Sequence, residues 1–272
     1  MIRTPSLRPA AVAGQFYPAA AAALRRDVGA YVGAGQRREP YLGGICPHAG
    51  YMYSGATAGV LFGRMEVPAT VVLLGPKHQW GGADYAVWPA GAWRTPLGDC
   101  PVDEKTAAAL LAASPLLAAD EEAHRGEHSL EVIVPFVQYV NPAAAIVPIA
   151  LGPMTLADVH ALGAAIAATL KPRLPGVAVI VSSDMTHYES AAAAEKKDRA
   201  ALERACALDE EGLLAAARDL DLSMCGIWPA AAALVAFKAL GAAGGTVLKY
   251  TNSGETSGDY GHVVGYAAVA FA

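Results

Sequence analysis

Apolar runs with no polar face alternate along this chain with longer stretches in helical rhythm. VVLL at Val71–Leu74 and VAVIVSS at Val177–Ser183 read as strands buried on both sides, because a half-exposed strand would alternate polar and apolar positions. The pattern predicts strands over Gly43–Pro47, Thr70–Gly75, Asp84–Trp88, Ala145–Leu151, Val177–Ser183, Thr246–Asn252 and Val263–Phe271. It predicts helices over Ala19–Gly33, Ser54–Arg64, Asp103–Ala113, His128–Val140, Leu156–Leu170, Ser190–Leu208, Glu210–Asp219 and Trp228–Leu240. This alternation implies an α/β fold: a single domain over residues 1–272, with a central mostly parallel or mixed β-sheet and helices on both faces. Ser114–Gly126 reads as a helix exit followed by an acidic loop. Asn252–His262 (NSGETSGDYGH) reads as a Gly/Ser-rich loop long enough to wall a site.

Composition narrows the function classes. Of 272 residues, 54% are hydrophobic and 17% charged, and the net charge is -5. No basic tract suits a phosphate backbone, so nucleic acid is not an expected partner. Arg3 and Arg8 precede no continuous apolar segment, which argues against a signal peptide, and no apolar stretch is long enough to span a membrane. A soluble, cytoplasmic protein is expected. Four cysteines in so long a chain make no disulfide framework. Cys46, Cys100 and Cys206 read as small buried hydrophobes, whereas Cys225 sits in SMCG, on a glycine turn.

The candidate chemistry collects at strand ends. PHAGY places His48 after a strand, and LLGPKH repeats the grammar at His78. A single strand-end histidine is ordinarily structural, bonding nearby backbone; two of the same form favour a shared site. With Cys225 they read as a metal centre built from distant segments, since imidazole and thiolate are the soft-to-borderline donors of proteins. In α/β sheets ligands gather outside the carboxyl ends of the strands, where Asp184 also lies. In SSDMTHY, Asp184 precedes His187 by three residues, a spacing that suits an oriented general base or acid; the alternative is a helix-capping aspartate beside a solvated histidine. In GEHSLE, Glu127 and His128 suit either a helix start or a pocket wall. A thiol near a helix N-terminus, as Cys225 is expected to be, is a ligand or a nucleophile; the alternative is an inert buried thiol.

These segments together resemble the Memo family, including bacterial members labelled AmmeMemoRadiSam system protein B. The resemblance runs through AVAGQFYP (Ala11–Pro18), PHAGYMYSG (Pro47–Gly55), LLGPKH (Leu73–His78), RTPLGD (Arg94–Asp99), EHSLEVIVPF (Glu127–Phe136), SSDMTHY (Ser182–Tyr188) and MCG (Met224–Gly226). The chain also looks like a distant relative of class III extradiol dioxygenases, which hold non-haem iron with two histidines and a carboxylate. The resemblance implies that fold, and a metal pocket of His48, His78 and Cys225 with Asp184 and His187 beside it. Cysteine stands where the dioxygenases carry glutamate, and Ile227–Trp228 stand where the family often has Arg-His, so extradiol chemistry itself is not implied.

Three functions follow as expectations. The first is a redox enzyme with iron(II), or copper or zinc, on His48, His78 and Cys225. Asp184, His187 and His128 would act in catalysis, on a small molecule or peptide side chain. The second is a metal-free thiol hydrolase with Cys225 as nucleophile, His187 as base and Asp184 as orienter. The third is a non-catalytic module that binds a peptide or a partner, with AMMECR-type and radical-SAM proteins implied by the system label. Tyr51, Tyr53, Trp80, Tyr188 and Glu127 are the expected substrate-binding residues.

Overall fold

A computed structural model describes residues 6–272; Arg3 lies outside them. The strands are β1 (Leu7–Arg8), β2 (Gly43–Cys46), β3 (Thr70–Pro76), β4 (Tyr85–Val87), β5 (Ala92–Thr95), β6 (Gly98–Pro101), β7 (Ala118–Ala119), β8 (Ala145–Leu151), β9 (Val177–Ser182), β10 (His187–Glu189), β11 (Gly245–Asn252) and β12 (Val263–Phe271). Among the described residues the main sheet runs β10-β12-β2-β9-β3-β8-β4-β7, with β11 also paired to β12. Its centre, β2-β9-β3-β8, is parallel, and the strands flanking it, β12 and β4, are antiparallel to their inner neighbours. Every residue of β2, β3 and β9 is buried, as runs without a polar face require.

The reason for burial on both sides is visible in Gly43 and Gly44. Successive strand residues face opposite sides of a sheet. A Cβ on Gly43 would strike the Phe237 ring and the Val179 carbonyl, and one on Gly44 would strike Leu61 and the Val269 carbonyl. Phe237 belongs to α9 (Ile227–Leu240) and Leu61 to α2 (Tyr51–Arg64), so a helix layer presses on each face. On the α2 side lie α1 (Ala21–Val32) and α5 (Val134–Val140). On the α9 side lie α3 (Glu104–Ala113), α6 (Leu156–Leu170), α7 (Ala191–Cys206) and α8 (Glu210–Asp219). The described residues thus form one α/β domain with a mixed sheet flanked by helices. No helix among them is long and apolar enough to cross a membrane.

Several local expectations change. Helix α2 starts at Tyr51, and Ser54 does not cap it; the Ser54 hydroxyl donates to the Ala49 carbonyl at 2.8 Å. The stretch expected as one helix from His128 is irregular until a 3-10 turn at Glu131–Ile133, and α5 opens at Val134 with Pro135 at its start, a position that suits proline. The acidic loop after α3 contains β7 and a short helix, Glu122–Arg125, and the Gly/Ser-rich loop contains another, Gly254–Ser257. RTPLGD is a hairpin: β5 and β6 pair antiparallel, Arg94 grips Asp99 with bonds of 2.7 and 2.8 Å, and Gly98 takes φ 122° at the turn. Cys46 and Cys100 are buried, while Cys206 is only half-buried.

Candidate metal centre

The parallel centre of the sheet decides where the chemistry gathers. Strands β2, β9 and β3 are neighbours running the same way, so their carboxyl ends open side by side. His48 follows β2, Ser183 and Asp184 follow β9, and His78 follows β3. The irregular segment before Glu131 brings His128 to the same place. His48, His78 and His128 each offer a ring nitrogen, and these atoms lie within 4.8 Å of one another. The His78 and His128 rings stack at 4.9 Å, and the His48 ring stands edge-on to both at 5.4 and 5.5 Å.

Hydrogen bonds behind the rings fix which nitrogen is free. Ser182 spends its one hydroxyl proton on the Ser129 carbonyl at 2.6 Å, so it accepts from His48 Nδ1 at 2.8 Å. The lone pair of His48 is therefore on Nε2. The Glu127 carboxylate accepts the His78 amide at 2.6 Å and His78 Nδ1 at 2.9 Å, which places the His78 lone pair on Nε2 as well. Glu127 also takes the Ser129 amide at 2.9 Å, and His128 Nδ1 lies 3.5 Å from it. Burial opposes its charge, yet the His78 ring and these amides hold its carboxyl down at about 2. Burial and the adjacent imidazoles push His48 well below its ordinary value, and burial lowers His128. Imidazoles oriented by hydrogen bonds, with a buried carboxylate behind them, are the furnishings of a metal site. The donor set fits a first-row transition ion: these rings can hold a metal, and no hard-oxygen cage for calcium or magnesium is formed by them.

Cys225 is beside this group rather than within it. Its sulfur lies 3.2 Å from His48 Nε2 and accepts the Asp184 amide at 3.2 Å. Gly226 is what allows this approach: a Cβ there would collide with Ser183 and the Ser182 carbonyl. Although Cys225 precedes α9, burial and then the Asp184 carboxylate push its thiol up, against the expected helix effect. Asp184 does not reach for His187. Its carboxylate accepts the His48 amide at 2.8 Å, and burial raises it to about 7. His187 is held instead by Ser223, whose hydroxyl accepts the His187 amide at 2.8 Å and whose carbonyl accepts Nδ1 at 2.9 Å.

A family model described as Memo-like protein matches residues 8–270. The chain belongs to the Memo family. Named relatives span nearly their full length: a MEMO1 family protein of Methanopyrus kandleri is 41% identical, covering 97% of this chain and 98% of its own. One from Methanothermobacter thermautotrophicus is 39% identical, covering 98% and 99%. Among solved structures, an uncharacterized Escherichia coli K12 protein aligns with a TM-score of 0.45 and 13% identity over 75% of this chain and 87% of that one, a likeness too distant to argue from.

Within this Memo fold the aromatic candidates divide. Tyr51 is buried, and its hydroxyl donates to the Val132 carbonyl at 2.7 Å, so it packs the wall behind the site. Trp80, on the loop after His78, is 99% exposed and Tyr188, next to His187 in β10, 76%, while Tyr53 is marginally exposed. Glu127 is fully buried and serves His78 rather than a helix start. Sequence reasoning missed a second buried node. Arg8 donates to the carbonyls of His124 and Glu127 at 2.7 and 2.6 Å, pairs with Glu131 at 2.6 Å and lies over the Trp93 ring. Glu131 also accepts the amides of Ala11 and Val12 and the Tyr17 hydroxyl. This node clamps the backbone that carries Glu127 and His128 and seats Phe16 against the His128 ring at 4.6 Å. Only the AVAGQFYP match hinted at it, because the partners are far apart in sequence.

Proposed function

We propose that the protein is a metal-dependent redox enzyme with iron(II) held by His48, His78 and His128, and with the Cys225 sulfur as the adjoining donor. The observation that carries this reading is the convergence of three imidazoles, with the Nδ1 atoms of His48 and His78 occupied by Ser182 and Glu127. When bound, such an ion supplies Lewis acidity and one-electron chemistry to whatever occupies its open positions. The chain's own residues do the rest. Glu127 and Ser182 keep the rings in register. Ser223 fixes the His187 proton on Nδ1, leaving Nε2 to accept a proton from a small-molecule or peptide substrate; burial keeps this ring neutral by lowering its pKa. The free cysteines Cys46, Cys100, Cys206 and Cys225 suit the reducing cytoplasm.

The thiol-hydrolase reading is weaker on geometry, because Asp184 holds the His48 amide rather than His187, and burial keeps a metal-free Cys225 protonated. The exposed Trp80 and Tyr188 favour a second reading, a peptide-binding role for the rim. The test is anaerobic titration with iron(II), copper(I) and zinc(II), followed by dioxygen uptake in the presence of ascorbate. Tight binding of one iron per chain with uptake lost in His78→Ala supports the proposal. Zinc binding alone, with no uptake by the iron form, refutes the redox assignment.

A further inference from the structure

A cavity of about 490 Å³ lies on the α1–α2 side, lined by Phe16, Tyr17, Tyr31, Tyr51 and Tyr53 with Asp27 at its edge. Among the described residues no basic side chain lines it. Asp27 and Tyr31 are four apart on α1 and share a face. The Asp27 charge is felt there, since burial and then Asp27 push the Tyr31 hydroxyl up. The Tyr17 and Tyr51 hydroxyls are committed to Glu131 and to the Val132 carbonyl and both residues are buried, so they back the cavity without a free donor, and the open ring surface comes from Phe16, Tyr31 and Tyr53. Among the described residues Asp27 pairs with Arg26 at 3.1 Å, whose side chain is 74% exposed; such a pair contributes little and yields readily.

Aromatic surface with a carboxylate and no positive charge is the chemistry that recognises an alkylammonium group, through ring quadrupoles and one ion pair. An anion finds no donor of charge here. A neutral ligand gains only contact area and leaves the carboxylate unanswered. The geometry points to this cavity as a binding site for an alkylammonium group, separate from the histidine centre. Phe16 is the partition, with its ring 4.6 Å from His128, so a ligand head held in the cavity sits one ring away from the candidate metal. The inference stands whether or not a metal binds.

The probe is choline, compared with its neutral isostere 3,3-dimethyl-1-butanol, titrated into the full chain and followed by calorimetry and amide NMR shifts. Choline is expected to bind about tenfold more tightly than the alcohol, with shifts at Tyr31 and Gly50. Asp27→Asn, on the surface of α1, is expected to bring the two ligands within roughly twofold of each other while leaving the melting temperature unchanged. Equal binding of both ligands to the native protein, no binding of either, shifts elsewhere, or full choline selectivity in Asp27→Asn would each overturn the assignment.

Discussion

Among the described residues, two groups of side chains bring three donors within 4.8 Å of one another: His48, His78 and His128 at the strand ends, and His160, Glu210 and Glu211 on the helix layer. Their surroundings differ. In the first, Ser182 and Glu127 use up the Nδ1 positions of His48 and His78, and burial disfavours the charged forms of His48 and His128. In the second, the His160 side chain is 41% exposed and Glu211 64%, and Lys238 already neutralises Glu210 at 2.9 Å. His160 adds its own contacts to Glu210 at 3.2 Å and Glu211 at 3.8 Å. The second group is a solvated ion cluster whose charges are already answered. Donor spacing alone therefore does not make a metal site; ring nitrogens oriented by partners behind them and shielded from water do.

The largest effect that separates the two is ligand removal. His48→Ala or His78→Ala should abolish tight metal binding, read as ions per chain after dialysis. Next comes the carboxylate behind the rings. Glu127→Gln should weaken the metal by roughly 10- to 100-fold while the fold, followed by circular dichroism, is retained, because such partners typically carry that share of affinity. An unchanged affinity would mean that Glu127 is merely structural.

Acidity sharpens the contrast through buried histidine near the site. Burial lowers His124 from 6.5 to about 4. Between those values the unfolded chain takes up a proton that the folded chain refuses. Stability should fall as pH drops from 6.5 towards 4, by roughly 1 kcal/mol per pH unit, and this contribution should level off below. Asp184, raised to about 7, acts in the opposite sense over the same range, so urea unfolding of the metal-free protein and of its His124→Gln variant at pH 7, 6 and 5 isolates the contribution; an unchanged pH slope in the variant contradicts it. Smallest is the surface group: His160→Ala should leave metal stoichiometry unchanged and stability within about 0.5 kcal/mol, by the same assays.

What the sequence made legible follows from locality. His48 and His78 were found because each directly follows an apolar strand, and the parallel order of β2, β9 and β3 then brings them together. The Cys225 turn was found because Gly226 marks a close backbone approach. His128 was harder to place, since its segment is neither helix nor strand and α5 waits for Pro135. Glu127 looked like a cap by its neighbours, yet its partner is His78, 49 positions away. The Asp184–His187 spacing suggested a pair, but the turn after β9 sends the carboxylate to His48. Arg8 and Glu131 are separated by 123 positions, and no periodicity reports a bond across that distance.

The direct test is metal analysis of protein purified without oxygen and reloaded with iron(II), read by X-ray absorption at the metal edge. The account predicts one ion per chain with a nitrogen-rich shell that disappears in His48→Ala and is untouched in His160→Ala. A native protein that takes up no ion, or one whose ion survives loss of His48 and leaves with His160, contradicts it.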